Sequence, residues 1–362
     1  MKKKNQALSC GFLNEDGENG MKEGFFKYLL KRCLLGLMTL FIILFASYVL
    51  MRLAPGDPTK SSMLGEGAGA QMASDKNTLA RNNSLREKLH LDKPVPVGFF
   101  LWLERVVHGD FGESAAVDKG RPVTGLILER LPVTVSLNLL AILVTYLLAI
   151  PLGIFSAVRP DTKLDNVITF FLFFLYSLPV LWVALMLQAM LCKGGYLPLF
   201  PLKGIFPEIT RGMTTWQIIG NTLWHYVLPV FCLSYAGFAG LARFTRSGML
   251  EVIHQDYIKT ARAKGVSEWG VVMKHALRNA LIIMITLFAG ILPSLVAGSI
   301  LVEYVFNIPG MGSLSMLALS SRDIPLLMAL FAFGGALTLA GILLSDLLYV
   351  LADPRIDFES RV

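Results

Sequence analysis

Six uncharged apolar runs, separated by polar stretches, organise the chain: Cys33 to Met51, Leu131 to Val158, Asn166 to Cys192, Gly212 to Ala242, Asn279 to Val302 and Ile324 to Ser345. Each holds about twenty residues or more, and at about 1.5 Å per helical residue such a run covers a hydrocarbon core of about 30 Å. Six membrane-spanning helices are predicted. The fourth run is longer than one span needs. Trp216, Trp224 and Tyr226 place its first third at an interface, with the span itself starting near Tyr226.

Composition agrees with this pattern. Hydrophobic residues make up 54% of the chain against 16% charged, and the mean hydropathy is +0.58, which defines an all-α integral membrane protein. Lysine and arginine then set the orientation, because translocating positive charge outward is disfavoured. Lys2, Lys3, Lys4, Lys22, Lys27, Lys31 and Arg32 crowd the start, and Arg246, Lys259, Arg262, Lys264, Lys274 and Arg278 crowd the stretch between the fourth and fifth runs. Both regions are expected in the cytosol, and Arg159 and Lys163 in the short second-to-third loop agree. An even number of spans returns the C-terminus to the same side and leaves the segment from Arg52 to Arg130 outside. The net charge of +7 is thus a signature of topology. No soluble face gathers basic and aromatic residues as a nucleic-acid binder would.

Five regions follow: a polar cytosolic tail (1–24), the first helix (25–52), a long external loop (53–130), the core of helices 2 to 6 (131–352) and a short cytosolic tail (353–362). The N-terminal region lacks the apolar core of a cleaved signal peptide and reads as disordered, and Met21 offers a second possible translation start. Within the external loop, Ser61 to Asn83 is small and polar and reads as flexible, while Ser84 to Leu91 is a helix candidate. Phe99 to Val107 is apolar and aromatic, suited to lying on a membrane surface or against a partner.

Little in the chain suggests catalysis. Cys10, Cys33, Cys192 and Cys232 show no paired spacing, and the histidines, His225 and His275 among them, are scattered, so neither a disulfide framework nor a metal or cofactor site is implied. Hydrolase triads, H-E-x-x-H and the phosphate-binding G-x-x-x-x-G-K-[ST] are missing from the sequence. If transport here consumes ATP, another chain binds it. Asp346 lies in the last apolar run, near its cytosolic end, where reaching water or a neighbouring helix accounts for it. Gly334, Gly335, Thr338 and Gly341 recur at helical spacing and predict close helix packing.

The polar stretch from Arg243 to Asn279 carries the clearest functional signal. It is too long for a tight turn and too basic for lipid. Asp256 is placed to cap a short helix ending at Lys264, with Gly265 in the left-handed position beyond it and Ser267 capping a second helix that leads into the fifth span. Tyr257, Ile258 and Thr260 provide contact area, Ala261 and Ala263 keep the helix slim, and Lys259, Arg262 and Lys264 keep it in water. Periodicity alone fits two surfaces equally well: a groove on a cytosolic protein, or a sheet of anionic lipid.

The string Thr260-Ala261-Arg262-Ala263-Lys264-Gly265, continuing to His275-Ala276-Leu277-Arg278-Asn279-Ala280-Leu281, resembles the cytosolic loop of membrane subunits of binding-protein-dependent ABC importers, in the dipeptide, oligopeptide and nickel family. The resemblance extends to Glu303-Tyr304-Val305-Phe306-Asn307-Ile308-Pro309-Gly310-Met311-Gly312, to Arg322-Asp323-Ile324-Pro325 and to Asp353-Pro354-Arg355. Ala54-Pro55-Gly56-Asp57-Pro58, Leu89 to Pro94, Gly109-Asp110-Phe111-Gly112 and Arg121-Pro122-Val123 are similar to the same family's external loop, in particular that of the first of its two permeases. Two departures stand out. Ile282 and Ile283 occupy the place of the family's usual proline, with Pro293 later, and the loop is enlarged around Ser61 to Asn83.

The resemblance implies a type I ABC importer permease fold and a division of labour. A second, related permease would complete the pathway, two cytosolic ABC ATPase subunits would hold one coupling helix each, and an external solute-binding protein would deliver peptides or peptide-like solutes. On this reading Tyr257, Thr260, Ala261, Arg262, Ala263, Lys264 and Gly265 couple the chain to an ATPase, and Glu303, Phe306, Pro309 and Gly310 form an external turn or gate. The chain itself would be no enzyme, and would lie in a bacterial inner membrane. A stand-alone secondary transporter or channel is the alternative; it calls for repeated halves and mid-membrane charges, which the sequence does not display.

Overall fold

Helix α1 (Lys2–Leu53) opens the chain, and residues 27–53 of it form an apolar span. The computed structural model describes residues 2–53, 92–205, 212–280, 294–295 and 298–352, with side chains from residue 27 onward except 345 and 347–352. Residues expected to form a disordered tail continue the same helix back to Lys2, since no proline interrupts its ladder of backbone bonds.

After α2 (Val95–Val107), three further helices are long and apolar enough to cross a membrane: α3 (Val123–Val158), α6 (Thr215–Ile253) and α11 (Ile324–Ala352), the last by its residues 324–344. The third predicted run folds as two pieces, α4 (Lys163–Ser177) and α5 (Val180–Leu191), bent by 93°. Pro179 makes the break: it supplies no backbone N–H and holds Leu178 in an extended conformation. The Leu178 carbonyl freed there accepts a hydrogen bond from the Tyr235 hydroxyl at 2.7 Å. The described residues thus hold four spans and one bent pair. Most of the fifth predicted run, including Ile282, Ile283 and Pro293, lies outside the described residues, as do Ser61 to Asn83, Ser84 to Leu91 and Asp353-Pro354-Arg355.

Helix α6 departs from expectation at both ends. It starts at Thr215, where Gln217 Oε1 accepts the Thr214 N–H at 2.9 Å, and runs unbroken through Tyr226. It also continues past Ala242 to Ile253, so Arg243 and Arg246 are helical and the polar connection begins only at His254.

α3 and α6 form the main packing seam. Leu137 and Ala141 of α3 meet Val230, Cys232 and Tyr235 of α6 in one buried cluster, with Thr145 returning its hydroxyl to the Ala141 carbonyl at 2.7 Å. Cys192 and Cys232 are buried and free, and Cys33 is a free, partly exposed thiol. α1 packs on α11 where Gly335 leaves room: a Cβ there would collide with Leu40. On the same seam the Arg32 Nε lies 3.6 Å from Asp346, so the buried carboxylate of the last span finds its counter-ion on a neighbouring helix. No strand forms among the described residues.

Candidate functional site

The connection beyond α6 folds as α7 (Asp256–Ala263), the one-turn helix α8 (Glu268–Gly270), and a π-helical turn at Val271–Ala276 that leads on towards the fifth run. The N-cap of α7 is Gln255 and not Asp256, which takes the first helical position. From there the Asp256 carboxylate meets the Lys259 ammonium at 2.8 Å, and that hydrogen bond holds its pKa below the usual range.

One side of α7 is committed to the protein's own interior. Ile258 is fully buried and Ala261 nearly so, packed with Ala157 at the end of α3, Met249 and Val252 of α6, and Val271, Val272 and Ala276 of the π-helical turn. Ile258, expected to offer outward contact area, therefore anchors the helix, and Ala261 is slim because it sits against α6. The outward surface includes Tyr257, Thr260, Ala263 and Lys264, together with the Asp256–Lys259 pair, and Trp269 beyond it is 73% exposed.

Gly265 ends α7 with φ +79°, the left-handed conformation that side-chained residues adopt at a cost. Its N–H donates to the Arg262 carbonyl at 2.9 Å and the Val266 N–H to the Ala261 carbonyl at 3.3 Å, satisfying the last turn. A Cβ at Gly265 would meet nothing within 4 Å, so backbone conformation alone makes the demand for glycine. The Arg262 guanidinium reaches over this turn to Glu268 at 2.9 and 3.3 Å, and Ser267 caps the next turn by accepting the Gly270 N–H at 3.3 Å. Asn279 Nδ2 donates to the Tyr257 hydroxyl at 2.9 Å. The helix is thus tied to the following segment at both of its ends.

A buried polar cluster that the hydropathy pattern does not announce ties α3, α4 and α6 together. Asp165, in the first turn of α4, lies against Arg246 of α6 with Nη2 to Oδ2 at 2.7 Å and Nε to Oδ1 at 3.2 Å. Ser156 of α3 donates to the same carboxylate, and the Asp161 N–H adds a bond at 3.0 Å. The sequence signal lay in Thr162, which caps α4 by accepting the Asp165 N–H at 3.2 Å and so fixes where the carboxylate points.

The second group of predicted residues lies at the opposite end of the helices, between α9 (Ile300–Val305) and α10 (Met311–Ser321). Glu303 is fully buried: its carboxyl group accepts the Ser313 N–H at 2.8 Å and the Thr134 hydroxyl at 3.1 Å, placing an acceptor at the start of α10. Phe306 is buried in the α3–α6 cluster, and Gly310 is the N-cap of α10 with Pro309 partly buried just before it. Nearby, Asp323 is buried and gathers the Ser114 hydroxyl and the Ala116 and Val117 N–H groups at 2.5 to 3.0 Å, pinning the segment before α3 to the start of α11.

Among the described residues no group of three or more His, Cys, Asp or Glu is placed to hold a metal. A bundle of apolar helices with a short polar helix packed on the ends of two spans defines a multi-pass membrane protein. The match to protein families is specific. Residues 149–358 fit the model of binding-protein-dependent transport system inner membrane components, and residues 25–138 fit that of their N-terminal region. The chain belongs to this family, the membrane components of ABC importers. It is 39% identical to the oligopeptide transport system permease protein AppB of Bacillus subtilis, over 91% of this chain and 99% of that one. It is also 34% identical to the inner membrane ABC transporter permease protein YejB of Escherichia coli O157:H7, over 92% and 99% of the two chains. A solved methionine ABC transporter, MetNI in inward-facing form, overlays with TM-score 0.49 at 17% identity, over 63% of this chain and 96% of that one.

Proposed function

We propose that the chain is the permease of an ATP-driven importer of peptides or peptide-like solutes, with six spans in the type I arrangement, both termini in the cytosol and the segment between α1 and α3 outside. A second, related permease completes the pathway, an external solute-binding protein delivers cargo, and ATP is hydrolysed on separate cytosolic subunits. The name of the relative AppB supports the peptide reading, that of YejB the ABC transporter class, and the family match the dependence on a binding protein.

The observation that carries the mechanism is α7 itself. Its Ile258 and Ala261 are locked into α3 and α6, while Tyr257, Thr260, Ala263 and Lys264 face outward. A partner gripping the outward face would move the ends of two spans with it, because no flexible linker intervenes. Closure of two ATPases would draw such helices together and reopen the pathway outward, a cycle biased by nucleotide. Glu303, Phe306, Pro309 and Gly310 act as scaffold for the far end, in keeping with their burial and satisfied hydrogen bonds.

Cysteine crosslinking tests this in intact cells. A cysteine at Ala263, on the outward face, is expected to capture a nucleotide-hydrolysing neighbour, whereas one at Ala261 should not. Copurification of two permeases without any ATPase, together with no crosslink from position 263, would overturn the reading.

A further inference from the structure

We propose that α2 is a membrane-inserted helix whose outward face rests in the acyl chains of the leaflet where α1 ends. Its inner face is taken up by protein: Phe99 is fully buried, with ring centroids 5.5, 5.1 and 5.7 Å from those of Phe41, Phe45 and Tyr48 of α1. Its outward face is apolar too. Val97 is 46% exposed, Phe100 57% and Val107 77%, with Glu104 as the one charge among them. A helix apolar on both faces has no stable place in water.

Continuity with the span decides what covers it. The Phe100 ring lies 6.2 Å from Phe41, which stands twelve residues, or about 18 Å, before Leu53 and so well inside the apolar stretch of α1. Met38 and Ile42 flank Phe41 on that span and are 61% and 52% exposed, so the surface of Phe100 runs on without a polar border into the wall that the span presents to lipid. Apart from Glu104 and the buried Trp102 indole N–H, polar groups appear only at the ends of α2. Arg52 donates to the Lys93 carbonyl at 2.6 Å before the helix, and Arg105 pairs with Asp110 at 2.8 Å with His108 exposed beside them. An apolar middle between two polar ends is the pattern of a helix lying at a bilayer boundary.

Fluorescence quenching tests the placement in membrane vesicles holding the full chain with Cys10→Ser and Cys33→Ser. A fluorophore on Phe100→Cys or Val107→Cys is expected to be quenched at least about twofold more by an acyl-chain spin label than one on His108→Cys, and iodide in the water should give the reverse order. Equal iodide quenching at positions 100, 107 and 108 would overturn the proposal by placing α2 in solvent. Shielding of 100 and 107 from both quenchers would overturn it by placing a second protein on that face.

Discussion

Arg246 and Asp165 form a two-point ion pair with very unequal burial: the Asp165 side chain is 2% exposed and that of Arg246 28%. Losing the arginine would strand a carboxylate in the interior, whereas losing the aspartate leaves a guanidinium that can extend to water. Arg246→Met is therefore expected to cost about 3 kcal/mol of stability and Asp165→Asn distinctly less. The double variant should recover part of the loss. Thermal denaturation in detergent measures all three, and equal losses would contradict the burial argument.

Gly265 faces empty space, so its replacement probes backbone conformation alone. Gly265→Val should cost at least about 1 kcal/mol and uncouple ATP hydrolysis from uptake, while Gly265→Asn, which tolerates a left-handed turn, should stay close to the parent. Unchanged uptake by the valine variant would show that this left-handed turn is dispensable for coupling.

Neighbouring alanines are expected to answer differently. Ala261→Leu overpacks the cluster around Ile258 and should destabilise by about 1–3 kcal/mol, whereas Ala263→Leu should leave the fold intact and weaken the hold on an ATPase. Detergent stability and ATPase copurification, measured on both, separate the two faces of α7.

Glu303 separates gate from scaffold. Glu303→Ala leaves the Ser313 N–H and the Thr134 hydroxyl buried without an acceptor, which should cost about 1–3 kcal/mol, with Glu303→Gln milder. Transport should then fall only in step with the amount of folded protein. Normal folding with transport abolished would make the residue a gate.

Asp323→Ala should loosen the segment before α3, because three donors from residues 114–117 lose their common acceptor. Faster backbone hydrogen exchange at Ala116 and Val117 is the expected reading, with α3 itself unaffected.

Much of this was legible in the sequence because periodicity and glycine chemistry are local. The apolar runs of α1, α3 and α11, the short helix ending at Lys264, the left-handed Gly265 and the Ser267 cap all stand where pattern and turn preferences put them. What escaped depends on partners distant in sequence. Arg246 reads as a loop charge until Asp165, on another helix, gives it a reason to stay in α6. Ile258 and Ala261 look like contact residues until Val271 and Met249 close over them. The bend at Pro179 was visible as a residue but not as a 93° change of direction, since the break is made tolerable by Tyr235, far along the chain.

The length of α6 has a final consequence for the choice between protein and lipid as the surface that α7 meets. At about 1.5 Å per residue, Ile253 stands about 15 Å beyond Arg243, the first charged residue of that helix. Headgroups extend only some 6 Å past the hydrocarbon, and their potential decays over about 8 Å at physiological salt. The end of α6 is thereby carried past the headgroups to where anionic lipid exerts less pull, which favours the proposed soluble partner over a lipid surface.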